Sequence, residues 1–197
     1  GGTAVVKRFI RDELRRLPYE KPLRVLDIGS GDCDIPMAVS KWAARRGIEL
    51  EFTCVEHHDK MMKIAERHIV ARGITNIELV EADIFDYEPR EEFDLAVGSM
   101  FFHHLEDERI LELIERLREI VRMSILLNDL RRSVLPYAGC LLISGFLPGQ
   151  VRNDGLLSIK KGFKVRELHG LLERVDQSHC KVSRAWFGRI KGIVRFH

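Results

Sequence analysis

The sequence predicts an α/β protein built on a doubly wound, mostly parallel sheet with an antiparallel hairpin at its C-terminal end. Short apolar runs of strand length alternate with stretches whose apolar residues recur at helical spacing. The first such run, in RVLDIGSGDCDIP (residues 24–36), passes through two glycines directly into a helix. Apolar residues make up 45 % of the 197-residue chain, enough to fill one core.

Taken in order, an amphipathic helix at about residues 4–17 stops at LPYEKP, ahead of the strand LRVLDI. Ile35, Ala38, Val39, Trp42 and Ala43 mark the next helix, which leads to the strand LEFTCVE. Met61, Ile64, Ala65 and Ile69 mark another, with His68 on its apolar face as a core histidine. The strands IELVEA and FDLAVGS follow. The acidic turn EDE suits a helix N-terminus and opens a helix with Ile110, Leu113, Ile114, Leu117, Ile120 and Val121 on one face. SILLND is the fifth strand. Strand–helix alternation at this spacing implies βαβ units covered on both faces.

After Asp129 the rhythm changes. SVLPYAGCLLISGFL is apolar but holds Pro136, which bars it from a central strand; a lid helix is the preferred reading and a core helix the plainer one. PGQVRNDG, the helix FKVRELHGLLERV and a hairpin in KVSRAWFGRIKGIVRF complete the chain. Without repeats or linkers, residues 1–197 form one domain. Its parts are an N-terminal helix (1–20), a core (20–130), a lid region (131–164), and a final helix with the hairpin (165–197).

Several function classes fall away. A net charge of +2 leaves no global nucleic-acid footprint, and a run such as RRSV reads as solvated surface. Nothing approaches the ~20 apolar residues of a membrane span. The opening GGTAVVKRFIRDELRR lacks a signal-peptide core, so a cytoplasmic location is expected, and its Gly-Gly start reads as a trimmed end. Cys33, Cys54, Cys140 and Cys180 are scattered like free thiols, with no Cys-x-x-Cys pair for zinc. The sequence sets no oligomeric state.

The glycine turn carries the first chemistry. In the dinucleotide pattern G-x-G-x-x-G the third glycine lets the helix pack close to the strand, and backbone N–H groups at the helix start receive the diphosphate. Here Gly29 and Gly31 stand correctly, but the third position is Asp34. Asp27 lies two residues before the first glycine and Asp32 adds a third carboxylate, so the turn suits a cationic, amine-bearing guest. Asp27 capping its own turn is the plainer alternative. The second strand ends in Glu56, able to accept both hydroxyls of a ribose. The third ends at Asp83, placed to receive a purine amino hydrogen or to cap the short segment IFDYE. Ile84 and Met61 offer apolar cover for a flat ring. Amine tail, ribose and adenine in that order describe S-adenosylmethionine.

The chain resembles the class I S-adenosylmethionine-dependent methyltransferases of the small-molecule kind, carrying a generic methyltransferase domain, over about residues 20–130. VLDIGSGDCDIP, FTCVEHHDKMM, VEADIF and FDLAVGSMFFHHLED occur in that order. The resemblance implies a Rossmann-like, seven-stranded sheet whose antiparallel last strand inserts beside the fifth. It implies S-adenosyl-L-methionine as cofactor and S-adenosyl-L-homocysteine as product. It gives Asp27, Gly29, Ser30 and Gly31 to the methionine moiety and the loop, Glu56 to the ribose, and His57 with Asp83 and Ile84 to the adenine. Ser99 and Met100 approach the methionine portion. Such enzymes often carry a longer N-terminal cap than the 22 or so residues here.

His103 and His104, just past the fourth strand, are candidate bases for a hydroxyl acceptor. Asn128 and Asp129, read as facing one crevice, are candidates for orienting that hydroxyl or for binding a divalent ion, with a turn or helix cap at Asp129 as the plainer alternative. No metal is expected, because adjacent histidines (His57 with His58, His103 with His104) usually point apart. The expected partner is a small phenolic or lipophilic acceptor methylated on oxygen, with no clear nucleic acid. An RNA or protein methyltransferase is the first alternative, although SMFFHH stands where an Asn-Pro-Pro-Tyr amine motif would be. A cofactor binder without activity is the second.

Overall fold

A computed structural model of the chain describes residues 1–16, 22–132, 162–175, 179–185 and 188–196. Its elements are α1 (Gly2–Glu13), β1 (Leu23–Ile28), α2 (Asp34–Ala44), β2 (Leu50–Glu56), α3 (Asp59–Ala71), β3 (Ile77–Glu81) and β4 (Phe93–Ser99). After β4 come a 3₁₀ turn (Phe102–His104), α4 (Asp107–Ile120) and β5 (Val121–Leu130). The last three elements are α5 (Val165–Glu173), β6 (Cys180–Ala185) and β7 (Arg189–Arg195).

The seven strands form one sheet in the order β3-β2-β1-β4-β5-β7-β6. The first five are parallel, whereas β7 runs antiparallel to both β5 and β6. The C-terminal hairpin therefore enters the sheet with its second strand beside β5. Strand order reverses between β1 and β4, which opens a crevice at their carboxyl ends, where open α/β sheets bind ligands.

Strand alternation divides the core. Leu23 and Val25 of β1 join Val6, Phe9 and Ile10 of α1, Met37 and Val39 of α2, and Ala65 and Ile69 of α3 on one face. Leu26 and Ile28 join Ile110, Leu113, Ile114 and Leu117 of α4 and Leu168, Leu171 and Leu172 of α5 on the other. α1 is pinned to β7 by Arg195, whose Nη2 donates to the buried Glu13 Oε1 at 2.7 Å. Two like faces, each buried by helices, are what make the strands read as unbroken apolar runs.

Some boundaries differ from expectation. α1 lies earlier than residues 4–17, ending at Glu13. Val121 begins β5 instead of closing α4, since the helix passes into the strand without a loop. His68 is half-exposed, with Nδ1 3.9 Å from Asp32 Oδ2, because one residue before Ile69 it falls at the edge of the buried stripe of Ala65 and Ile69. The expected lid segment with Pro136 and Cys140 falls mostly outside the described residues. No described helix is long and apolar enough to cross a membrane.

Candidate functional site

The crevice at the carboxyl ends of β1, β2 and β4 is a cleft of about 460 Å³. Gly29, Glu56, Asp83, Ile84, Phe101 and His104 line it, together with His57, His58 and Met100. Two of its turns hold unusual backbone. Gly29 has φ +62°, and a Cβ there would lie 2.4 Å from Phe101 Cδ2, so only glycine lets that ring settle on the loop. Met100 and Cys33 take φ near +60° without being glycine, a costly conformation that concentrates at functional turns.

Four backbone donors of the glycine loop are already engaged. The Gly29 and Ser30 amides donate to Val55 O at 2.9 and 3.3 Å, Cys33 N donates to Ser30 O, and Gly31 N donates to Glu56 Oε2 at 3.0 Å. A diphosphate would need such donors free. Glu56 also accepts from His58 N at 2.9 Å, with His58 Nδ1 2.7 Å from the same Oε1. Burial opposes ionisation of Glu56, but the His58 amide and ring and the Gly31 amide outweigh it and hold the carboxyl below its ordinary range.

Asp27 is in the opposite state. It is 3 % exposed on the α2 side of β1. Burial first, then Cys33, Asp34 and Glu56, push its carboxyl well above the ordinary carboxylate range. A positive group entering beside it would favour the ionised form. Asp34 starts α2 and is solvent-exposed, where the helix dipole favours a carboxylate. Asp83 does cap its turn: Oδ1 accepts from Phe85 N at 2.9 Å, while the residue still lines the cleft beside Ile84. Met61 lies over Gly31 instead of on the cleft wall, with Cε 3.7 Å from where a Cβ would be.

The candidates of β4 and β5 divide. Ser99 Oγ accepts from Asn128 Nδ2 at 2.9 Å, and both face the α1 side, where Gly2 packs against the amide. Asp129 faces the other way. Its Oδ1 lies 2.7 Å from His103 Nδ1 and also accepts from Leu130 N at 2.7 Å, while Oδ2 accepts from His103 N at 3.1 Å. Asn128 and Asp129 thus do not share one crevice, because successive strand residues point to opposite faces. His103 is buried with Nε2 lacking a hydrogen-bond partner, and His104 is the histidine on the cleft wall. Nor do the adjacent histidines point apart: ring centroids are 3.7 Å apart in His57–His58 and 4.0 Å in His103–His104. Both pairs sit where the strand has ended, so strand alternation no longer separates neighbours.

Two residues escaped the sequence reading. Phe101 covers Gly29, and only its position in FDLAVGSMFFHHLED hinted at it. Arg189 begins β7 at the same sheet edge, beside Gly2, with Nη1 buried and lacking a partner. Burial pulls its guanidinium down, against the pull of Asp129 and Asp34. Its place depends on the β5–β7 pairing, which no local pattern announces.

Residues 25–124, just over half of the chain, match the family model described as a methyltransferase domain. A ribosomal RNA small subunit methyltransferase G of Legionella pneumophila subsp. pneumophila is 25 % identical over 99 residues, covering 49 % of this chain and 45 % of that protein. The chain thus spans less than half the length of this curated relative. Among solved structures, the plantazolicin methyltransferase BamL, in complex with a triazolic desmethylPZN analog and SAH, superposes with TM-score 0.75 at 13 % identity. That match covers 98 % of this chain and 84 % of BamL. Magnesium protoporphyrin IX methyltransferase (ChlM) from Synechocystis PCC 6803, with bound SAM, gives TM-score 0.64 at 11 % identity over 99 % of this chain and 78 % of its own. These likenesses show the Rossmann-like methyltransferase fold.

Proposed function

The chain belongs to the methyltransferase-domain family, and on that premise we propose that it transfers a methyl group from S-adenosylmethionine to a hydroxyl of a small, lipophilic acceptor. The observation that carries the donor reading is the run of groups along one sheet edge: buried Asp27, ionised Glu56, and Asp83 beside Ile84. They fit the donor. Asp27 answers a cationic methionine tail, Glu56 accepts the ribose hydroxyls, and Asp83 keeps Oδ2 for an amino hydrogen while Oδ1 caps its turn. The engaged loop amides speak against a dinucleotide. Relatives crystallised with SAM or SAH support the same donor.

When bound, the sulfonium supplies an activated methyl group, and the protein's task is alignment and a dry site. Phe101, Met100 and Leu105 provide apolar walls next to the glycine loop. His104, on the same wall, takes the acceptor's proton in this reading. His103 does not reach the cleft. Held by Asp129 through both its amide and its ring, it positions the turn that carries His104.

The curated relatives favour a second reading, an RNA acceptor. Radiolabelled donor offered with phenols, lipids and ribosomal RNA separates the two by where label appears. Calorimetry with S-adenosylmethionine and S-adenosylhomocysteine tests the donor itself. Absence of binding by both compounds overturns it.

A further inference from the structure

We propose that Glu56, His57 and His58 form a site for a transition-metal dication of the zinc class, and that metal and donor nucleoside exclude one another there. The site half stands on geometry alone; the exclusion half rests on the donor reading above.

Both imidazoles aim Nδ1 at one oxygen. His58 Nδ1 is 2.7 Å and His57 Nδ1 3.6 Å from Glu56 Oε1. The second distance is too long for a hydrogen bond. It matches the roughly 3.3 Å between ligand atoms of a tetrahedral ion with bonds near 2.1 Å. His58, now at 2.7 Å, would retreat by about 0.6 Å to reach that spacing, a movement open to a side chain 64 % exposed. Among the described residues this is the group of histidine, cysteine and acidic side chains whose ligand atoms all lie within 4.8 Å of one another.

The chemistry of the donors agrees. Two neutral imidazoles and a carboxylate suit Zn²⁺, Ni²⁺ or Cu²⁺ and are poor for Mg²⁺ or Ca²⁺. The Gly31 and His58 amides donate to the carboxylate and fix its orientation as an outer layer of hydrogen bonds would. A metal on His58 Nδ1 requires the ring proton on Nε2, and the exposed ring can carry it there. The exposed rings leave coordination positions open to water. Occupancy takes Oε1 away from ribose hydroxyls and fills the cleft mouth between Glu56 and Asp83. Metal therefore inhibits by displacing donor.

The test is calorimetric titration of the full chain with Zn²⁺, repeated with saturating S-adenosylhomocysteine and with His57→Ala and His58→Ala. Cobalt spectra report the ligand type. Expected are one ion per chain, at least tenfold weaker binding in each variant, competition by the nucleoside, and no thiolate-to-cobalt charge-transfer band. Unchanged affinity in both variants, or a thiolate band, overturns the site. Nucleoside binding that leaves zinc affinity unchanged overturns the exclusion. Zinc binding that depends on both histidines, in a chain that binds neither donor nor product, upholds the site and brings down the donor reading instead.

Discussion

Two carboxylate–histidine pairs stand at the same sheet edge, built alike and placed differently. Glu56 ends β2 and Asp129 nears the end of β5. Each has an imidazole Nδ1 at 2.7 Å and accepts the amide of the same histidine. The His58 side chain is 64 % exposed and the His103 side chain 1 %. Glu56 itself is buried, but its exposed imidazole partner can swing into water and make way for a ligand while the carboxylate keeps the Gly31 and His58 amides. Wholly buried, the Asp129–His103 pair cannot lose a member without leaving desolvated groups unsatisfied. One motif thus serves as a receptive edge on β2 and as a clamp on β5, and burial of the imidazole makes the difference.

Breaking the clamp has the largest expected effect. Asp129→Ala strands the amides of His103 and Leu130 and one ring nitrogen, so urea denaturation should show a loss of about 3 kcal/mol. A loss below 1 kcal/mol would make the two pairs equivalent. His104→Gln should slow turnover by about 100-fold while product affinity stays unchanged, the scale of a lost general base. Parallel losses in both quantities would make His104 part of the donor wall instead.

On the receptive edge, Glu56→Ala should weaken donor binding by about 1–3 kcal/mol by calorimetry, and fold stability by less than Asp129→Ala does. The smallest effect concerns Asp27. Because its folded-state pKa is raised, its contribution to stability is fully present below the unfolded pKa and is lost as pH rises through the folded value. Asp27→Asn should therefore stabilise the unliganded chain at neutral pH, by about 1 kcal/mol in thermal melts, while weakening the donor. Below that folded value donor binding should release a proton from Asp27, so affinity rises with pH up to it. Calorimetry in buffers of different ionisation enthalpy reads that proton, and Asp27→Asn should abolish it.

How much of this was legible in the sequence followed the range of the interaction. LRVLDI, LEFTCVE and FDLAVGS are strands to the residue, because apolar runs buried on both faces are local signals. Asp27, Gly29 and Glu56 were legible for the same reason: each sits at a strand end fixed by its own run. The opposed faces of Asn128 and Asp129 also follow from alternation, and the shared-crevice expectation overlooked it. Arg189 was missed although the resemblance put the last strand beside the fifth, since no local pattern fixes the register that sets Arg189 opposite Leu130, about sixty residues earlier in the chain. The close approach of the His57 and His58 rings was hidden as well, for it depends on β2 ending at Glu56 and α3 beginning at Asp59.

The glycine loop hangs from β2 by Gly29 and Ser30 on the Val55 carbonyl and by Gly31 on Glu56. A segment tethered at three successive residues has little conformational freedom left to surrender when a guest arrives. Capture at this edge should accordingly carry a small ordering penalty, and residues on β2 far from any ligand can tune affinity simply by shifting the strand from which the loop is suspended.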